Sequence, residues 1–205
     1  MSKITVKELE APTGFDLKIA AGETLDLKSQ GTVTMPAGVV LQVVQGTTDA
    51  TNTTTSTSYV TSGLSVAITP KHANSKFLLS ANFNVGMRHH DIAAGFNFSD
   101  SINGSTTAIA PDATTGDGSN RFQAFAMQSA HPADGDVDND SVWQVPFEYL
   151  YTPSYQNTTA RTFNVLWKNN YYQSAGLIIS NMNTNANESR DVRMRSTITV
   201  TEIAG

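Results

Sequence analysis

The chain has 205 residues and no cysteine, with a formal net charge of -5 at pH 7 and a pI near 5.2. This length can support one sizeable hydrophobic core, and the missing cysteines exclude a disulfide framework and a thiolate metal site. The 13 lysines and arginines are scattered among 18 acidic residues, so we expect no nucleic-acid partner, because phosphate neutralisation needs a basic patch.

The composition predicts an all-β protein. Hydrophobic residues make up 39% of the chain and charged residues only 15%, and much of the remainder is Thr, Ser, Asn and Gly. Threonine favours strands, whereas asparagine and glycine favour turns, and strong helix formers are scarce. The charged stretch Met1–Glu8 is not a secretion signal, and no segment has the roughly 20 apolar residues of a membrane helix. We therefore expect a soluble protein without signal-peptide export or membrane insertion.

The first 38 residues contain three short segments that each end in glycine: Asp16–Gly22, Asp26–Gly31 and Thr32–Gly38. Each predicts a strand of three or four residues closed by a turn, and such short strands cannot build a core of their own. We therefore predict an extended segment that packs against other chains. An arm lying over the main domain or a neighbouring subunit is the alternative.

The pattern changes at Val39, and residues 39–205 predict a two-sheet sandwich or a jelly roll. The stretch Gly46–Ser58 has no large apolar side chain, so it is predicted to be a surface loop or a solvated edge. The nine predicted strands are Val39–Gln45, Leu64–Thr69, Lys76–Val85, Ala94–Phe98, Phe122–Met127, Val142–Tyr151, Arg161–Trp167, Gly176–Ile179 and Ser196–Ile203.

The closing strand Ser196–Ile203 has the alternating pattern of a strand, with threonines at positions 197, 199 and 201 and Ile198 and Val200 between them. Ile198, Val200 and Glu202 share one face, while Ile203 lies among threonines on the other. Because an unsupported terminal strand would fray, we predict that Ile198, Val200 and Ile203 are buried within the sheet or at a subunit seam.

The strand Val142–Tyr151 also has an apolar face. Trp143, Phe147, Tyr149 and Tyr151 are separated by even numbers of residues, so they point to the same side. A buried sheet face or a subunit seam would account for this aromatic face.

Several framework segments resemble one family. Val39–Gln45, Tyr59–Pro70, Asn74–Leu79 and the ending Ser196–Gly205 resemble the module found in tail-fibre and other virion surface proteins of tailed phages, especially phages of marine bacteria. The segment Ala11–Lys28 resembles the leader that often accompanies this module.

The resemblance implies a homotrimeric virion protein with a jelly-roll head over residues 39–205, similar to the heads of the tumour-necrosis-factor and complement-collagen type. It also implies that residues 1–38 attach the head and trimerise it, because phage-fibre leaders commonly wrap three chains around one axis. The side chains that would then meet around this axis are Leu17, Ile19, Leu25, Leu27, Val33 and Met35.

The acidic stretch between Asp134 and Asp140 is a candidate calcium site. Asp134, Asp136, Asp138 and Asp140 alternate, and alternation lets carboxylate oxygens converge on a hard cation. However, the stretch lacks glycine at the sixth position of an EF-hand loop and has Val145 in place of the bidentate glutamate. A solvated acidic loop is the alternative, and we expect no other cofactor.

The histidines do not predict a metal site. His89 and His90 are adjacent, and adjacent side chains on a strand face opposite ways. Together with His72 and His131 they are predicted to be surface or hydrogen-bonded histidines, and a pH-sensitive subunit contact is the alternative.

The sequence does not predict an enzyme. A glycosidase would need two carboxylates at a set separation, and a single sequence cannot show that separation. The chain contains no nucleophile elbow, phosphate loop or zinc-protease motif. The acids that we considered are Asp100, Asp112, Asp117, Glu148 and Glu188, and all are predicted to be solvated.

The cluster Asn169, Asn170, Tyr171 and Tyr172 is a candidate binding loop. Tyrosines beside amides are typical of loops that bind sugars or proteins, and an ordinary exposed loop is the alternative.

Taken with the resemblance, the sequence predicts a virion structural protein that binds through three identical surfaces. One possibility is a tail fibre or adhesin that contacts a host glycan or protein. The other is a capsid decoration or head-fibre protein docked on the capsid by its N-terminal segment.

Overall fold

The structure is a computed structural model that describes residue 21 and residues 35–87, 92–109, 124–130, 142–169, 178–180 and 194–205. Residues Pro36–Gly205 form one compact unit. Five of the apolar residues predicted to meet around a threefold axis, Leu17, Ile19, Leu25, Leu27 and Val33, lie outside the described residues. The sixth, Met35, is described and is 40% exposed.

The all-β prediction is confirmed, and no helix occurs in the described residues. The ten strands are β1 Val40–Thr48, β2 Thr53–Thr54, β3 Val60–Ile68, β4 Lys76–Met87, β5 Ile92–Asp100, β6 Ala126–Ala130, β7 Val142–Tyr151, β8 Arg161–Asn169, β9 Ile178–Ser180 and β10 Ser196–Ile203.

The strands form two antiparallel sheets, as expected for a β sandwich. The four-stranded sheet has the order β3-β8-β5-β6. The six-stranded sheet is built around β4, a strand of 12 residues, of which the ten residues Phe77–Gly86 pair with β7 along one edge. Along its other edge β4 pairs first with β10 and then with β9, and these strands pair in turn with β1 and β2.

Strand boundaries differ from the predictions where residues join a sheet through backbone pairing without an apolar pattern in their sequence. β1 continues through the polar residues Gly46 to Thr48 because they pair with Ile198 to Ser196 of β10. β2 lies inside the predicted polar loop and pairs with β9. β3 begins four residues before Leu64, and its register shifts near Gly63, where a positive φ of 88° suits glycine.

The core lies between the sheets and is rich in aromatic rings. Phe77 and Phe83 of β4 contact Phe163 and Trp167 of β8, with ring centroids 5.3 and 5.8 Å apart. Phe98 of β5 stacks on Phe147 of β7 at 4.8 Å. The predicted aromatic face of β7 therefore belongs to the core: Phe147 and Tyr151 are buried, and Trp143 and Tyr149 pack against the buried cluster.

β10 lies between β1 and β4, with hydrogen-bonded neighbours on both edges. The predicted burial of Ile198 and Val200 is confirmed, since both are 0% exposed within the core of one chain. Their position is thus inside the sandwich and not at a subunit seam. Ile203 is only half-buried. It lies on the opposite face because an odd number of positions separates it from Ile198 and Val200.

We expect Ile198→Ala to lower the free energy of unfolding by about 2–5 kcal/mol, because it leaves a cavity in a close-packed core. Thr199→Ala is the matched control on the other face of β10 and should cost only about 1 kcal/mol, because it removes one exposed hydrogen bond from Gln45. Urea denaturation measures both. Equal midpoints for the two variants would contradict the assignment of the two faces.

Candidate functional site

One face of the six-stranded sheet points away from the core. Buried and half-exposed side chains alternate along β4, and the half-exposed ones lie beside exposed or half-exposed residues of the neighbouring strands. We call this surface the outer face. On β1, β4, β7 and β10 it consists of Val40, Val43, Gln45, Thr47, Lys76, Leu78, Ser80, Asn82, Gln144, Pro146, Glu148, Leu150, Thr197, Thr199, Thr201 and Ile203.

An apolar row crosses the outer face from one edge to the other. Val43 is opposite Thr201, which is opposite Leu78, which is in turn opposite Leu150. Val43 is 58% exposed and Leu150 51%. Nearby, Val40 is 54% exposed and pairs with Ile203. Single exposed apolar side chains are common, but a row of them indicates a contact surface.

The outer face is poor in charge. Of its sixteen residues only Lys76 and Glu148 are charged. Two side-chain hydrogen bonds join neighbouring strands on this face: Gln45 Nε2 donates to Thr199 Oγ1 at 3.0 Å, and Ser80 Oγ donates to Glu148 Oε2 at 3.2 Å. These polar groups are therefore partly satisfied by their own sheet, which lowers the cost of covering them.

A groove of about 380 Å³ lies between β4 and β7 and opens on the outer face. The side-chain oxygen of Asn82, in β4, is buried and has no hydrogen-bond partner in the described part of the chain. An unpaired buried oxygen is costly, but this atom is shielded from the surface and Asn82 does not line the groove. The groove is lined by Ser80, Ala81, Pro146, Phe147 and Glu148.

The sequence contained one signal for this face. The apolar residues of Val39–Val44 occupy both odd and even positions, and a strand that is apolar on both sides predicts contacts on both sides. Leu78 and Leu150 carried no such signal, because only the register of β4 against β7 places them in the same row.

A buried carboxylate anchors the C-terminal end of β10. Glu202 is 0% exposed and accepts hydrogen bonds from the backbone N–H groups of Lys71 and His72 at 2.7 and 3.2 Å. It also accepts from Ser75 Oγ and Gln42 Nε2, both at 2.5 Å. Hydrogen bonds thus replace water around this carboxylate and tie the β3–β4 loop to the closing strand. The backbone of His72 takes part in this anchor.

A buried ion pair joins β5 to β8. Arg161 Nη1 lies 2.8 Å from Asp100 Oδ2, and both side chains are 1% exposed. Arg161 also donates through Nη2 to Tyr155 O at 3.3 Å and to Asn157 Oδ1 at 3.2 Å, and its guanidinium lies 5.2 Å from the Phe77 ring centre. The prediction that Asp100 is solvated is therefore wrong, because arginine and not water compensates its charge.

Two tyrosines, Tyr151 beside the Asp100–Arg161 pair and Tyr59 beside Lys168, have raised pKa values. Burial, and secondarily the charge of Asp100, raises the pKa of Tyr151. Burial raises the pKa of Tyr59 to about 12, although a hydrogen bond with Asn97 partly offsets it. Burial lowers the pKa of Lys168, whose ammonium lies 5.5 Å from the Tyr59 ring centre.

Several predicted site residues lie outside the described part of the chain. These are the candidate calcium ligands Asp134, Asp136, Asp138 and Asp140, the histidines His89, His90 and His131, the acids Asp112, Asp117 and Glu188, and three residues of the predicted binding loop, Asn170, Tyr171 and Tyr172.

The fourth residue of that predicted loop, Asn169, requires a correction. Asn169 ends β8 and is 1% exposed, and its backbone N–H donates to Ser56 O at 2.7 Å. A side chain buried in this way cannot face a ligand at the surface, so Asn169 belongs to the framework. The Asn-rich pattern did not reveal that β8 extends this far.

The described residues contain no group of three or more His, Asp or Glu side chains that could hold a metal ion. The same part of the chain contains no helix long and apolar enough to cross a membrane. A scan against protein-family models and a search of curated proteins found no match.

We expect Arg161→Met to lower the free energy of unfolding by about 3–5 kcal/mol, because it leaves the Asp100 carboxylate buried and unpaired. The matched control is Arg195→Met, which removes an exposed partner of Asp49 at 3.7 Å and should cost less than about 1 kcal/mol. Chemical denaturation compares the two. Similar losses for both variants would show that the buried pair is not the stronger constraint.

Proposed function

We propose that this chain is a structural protein of a tailed-phage virion, in which the β sandwich is the head of a homotrimeric tail fibre or adhesin. The framework segments that resemble phage virion surface proteins support the virion assignment. The outer face of the six-stranded sheet supports assembly, and it is the observation that carries the proposal: sixteen adjoining residues with two charges and an exposed apolar row.

The strand order supports a jelly-roll head. With β2 and β9 set aside, the sheets read β1-β10-β4-β7 and β3-β8-β5-β6. The chain passes from one sheet to the other at every step except from β5 to β6: between β1 and β3, β3 and β4, β4 and β5, β6 and β7, β7 and β8, and β8 and β10. Eight strands wound between two sheets in this way are the arrangement of two Greek keys in a jelly roll.

The occupant that fits the outer face is a second copy of this chain. Covering the apolar row of Val43, Leu78 and Leu150 removes apolar area from water, and most of the surrounding hydroxyls and amides carry no charge that would have to be desolvated. Lys76 and Glu148 have opposite signs, so contact between different parts of the face in neighbouring copies can bring them together. Three copies related by a closed rotation use one such contact repeatedly.

The assembly prediction is tested with a charge placed in the apolar row. We expect native mass measurement to give three times the 22.0 kDa chain mass for the unaltered protein and a shift toward monomer for Val43→Lys, because burying an unpaired ammonium is costly. Met127→Lys is the matched control, since Met127 is also 58% exposed but lies on the other sheet. A folded monomer for the unaltered chain, or trimers for both variants, would contradict the proposed face.

The virion assignment is tested separately by labelling intact particles. We expect an antibody raised against residues 39–205 to label the tails of phage particles in electron microscopy, at a few sites in each particle. Labelling spread over the capsid in many copies would instead favour the decoration or head-fibre protein. Particles without label would overturn the virion assignment.

A further inference from the structure

A cleft of about 280 Å³ lies between the β5–β6 loop and the end of β7. Its floor is aromatic and aliphatic: Ile109 and Tyr151 are 8% and 7% exposed, and Tyr149 is half-buried. Tyr149 stacks on Phe125 with ring centroids 4.6 Å apart, and Tyr151 meets Phe163 edge to face at 6.0 Å. Both tyrosines that form the floor are therefore held by other rings.

The rim of the cleft carries neutral hydrogen-bonding groups. It is formed by the exposed residues Asn103 and Thr107 from the β5–β6 loop and Thr152 and Ser154 from the chain after β7. Three hydroxyls can each donate and accept, and the side-chain oxygen of Asn103 can accept. Such groups fix the orientation of a polyhydroxylated ligand.

The described part of the loop that supplies half of the rim, residues 101–109, is held in place by hydrogen bonds. Asn103 Nδ2 donates to Tyr151 Oη at 2.9 Å, and the Asn103 N–H donates to Asp100 O at 2.9 Å. Thr107 N–H donates to Gly104 O at 3.0 Å, and Ile109 N–H donates to Phe98 O at 2.7 Å. A rim ordered before binding loses little entropy when a ligand arrives.

The described lining of the cleft is also uncharged. No charged side chain lines it among the described residues, and Asp100, which Tyr151 Oη approaches at 3.5 Å, is paired with Arg161. Among the described residues, the lining offers no cation to a phosphate or carboxylate ligand and no free acid to an ammonium. The chemistry therefore favours an uncharged ligand with one apolar side.

We propose that this cleft binds one neutral hexopyranose unit of a glycan, with the C–H face of the sugar over the tyrosine floor and its hydroxyls on the Asn103, Thr107, Thr152 and Ser154 rim. The volume lies just below the roughly 300–1,000 Å³ of sites that enclose drug-sized ligands, so it suits a single sugar unit. This inference adds a ligand to the tail-fibre or adhesin function proposed above. It rests on that function only for the expectation that the sugar belongs to a host glycan.

The test is titration of the full chain with D-glucose, D-galactose and N-acetyl-D-glucosamine, followed by ligand-observed NMR. We expect at least one of these neutral sugars to bind saturably, and the corresponding charged sugars, glucuronate and glucosamine, to bind more weakly. Thr107→Val should weaken binding by about fivefold through loss of one hydrogen bond, and Ser154→Ala should act in the same direction. Thr199→Val, the same substitution on the outer face, should leave binding unchanged.

Three results would overturn the proposal: no saturable binding of any neutral sugar, equal or tighter binding of the charged sugars, or equal affinities for Thr107→Val and Thr199→Val. Neither rim substitution lies on the outer face. The native mass of each variant therefore reports the oligomeric state separately from sugar binding. If the protein is a trimer but binds no sugar, the assembly proposal stands and the sugar proposal falls. If the protein is a monomer that binds a neutral sugar, the sugar proposal stands and the assembly proposal falls.

Discussion

The pairing of the C-terminal strand on both of its edges is the constraint on which the rest of the structure depends. β10 is hydrogen-bonded to β1 and β4. The last residues of the chain therefore join two strands that lie in its first half. Ile198 and Val200 bring this strand's apolar side into the core, and Glu202 binds the β3–β4 loop at its end. Ile198 and Val200 are opposite Ala81 and Leu79 of β4, a strand distant in the sequence, and all four side chains are buried.

The position of β10 also creates the surface that we assign to assembly. Because side chains alternate along each strand, burial of Ile198 and Val200 obliges Thr197, Thr199 and Thr201 to face outward. The neighbouring strands then add Val43, Leu78 and Leu150 in the same row. A sheet whose inner face is filled by aromatic rings therefore has an outer face that is neutral and partly apolar, which suits contact with other copies.

The buried ion pair between Asp100 and Arg161 has a comparable role at the other sheet. Arg161 gathers the carbonyl of Tyr155, the amide of Asn157 and the Asp100 carboxylate, while Asp100 caps the turn at Ile102. The pair fixes two loops and removes net charge from the region beneath the tyrosine cleft. The ion pair that stabilises the loops thus also compensates the Asp100 charge beneath the cleft to which we assign a neutral sugar.

The sequence by itself determined the fold class, most strand positions and the two faces of β7 and β10, because alternation is a local property that is read along a single strand. It did not reveal β2, the extension of β8 through Asn169, or the union of Asp100 with Arg161 across 61 residues. Those features depend on which strands become neighbours and in what register, and side-chain alternation does not encode the partner. Only the tertiary structure decided that Val43 and Leu150 share one row and that Asp100 is buried.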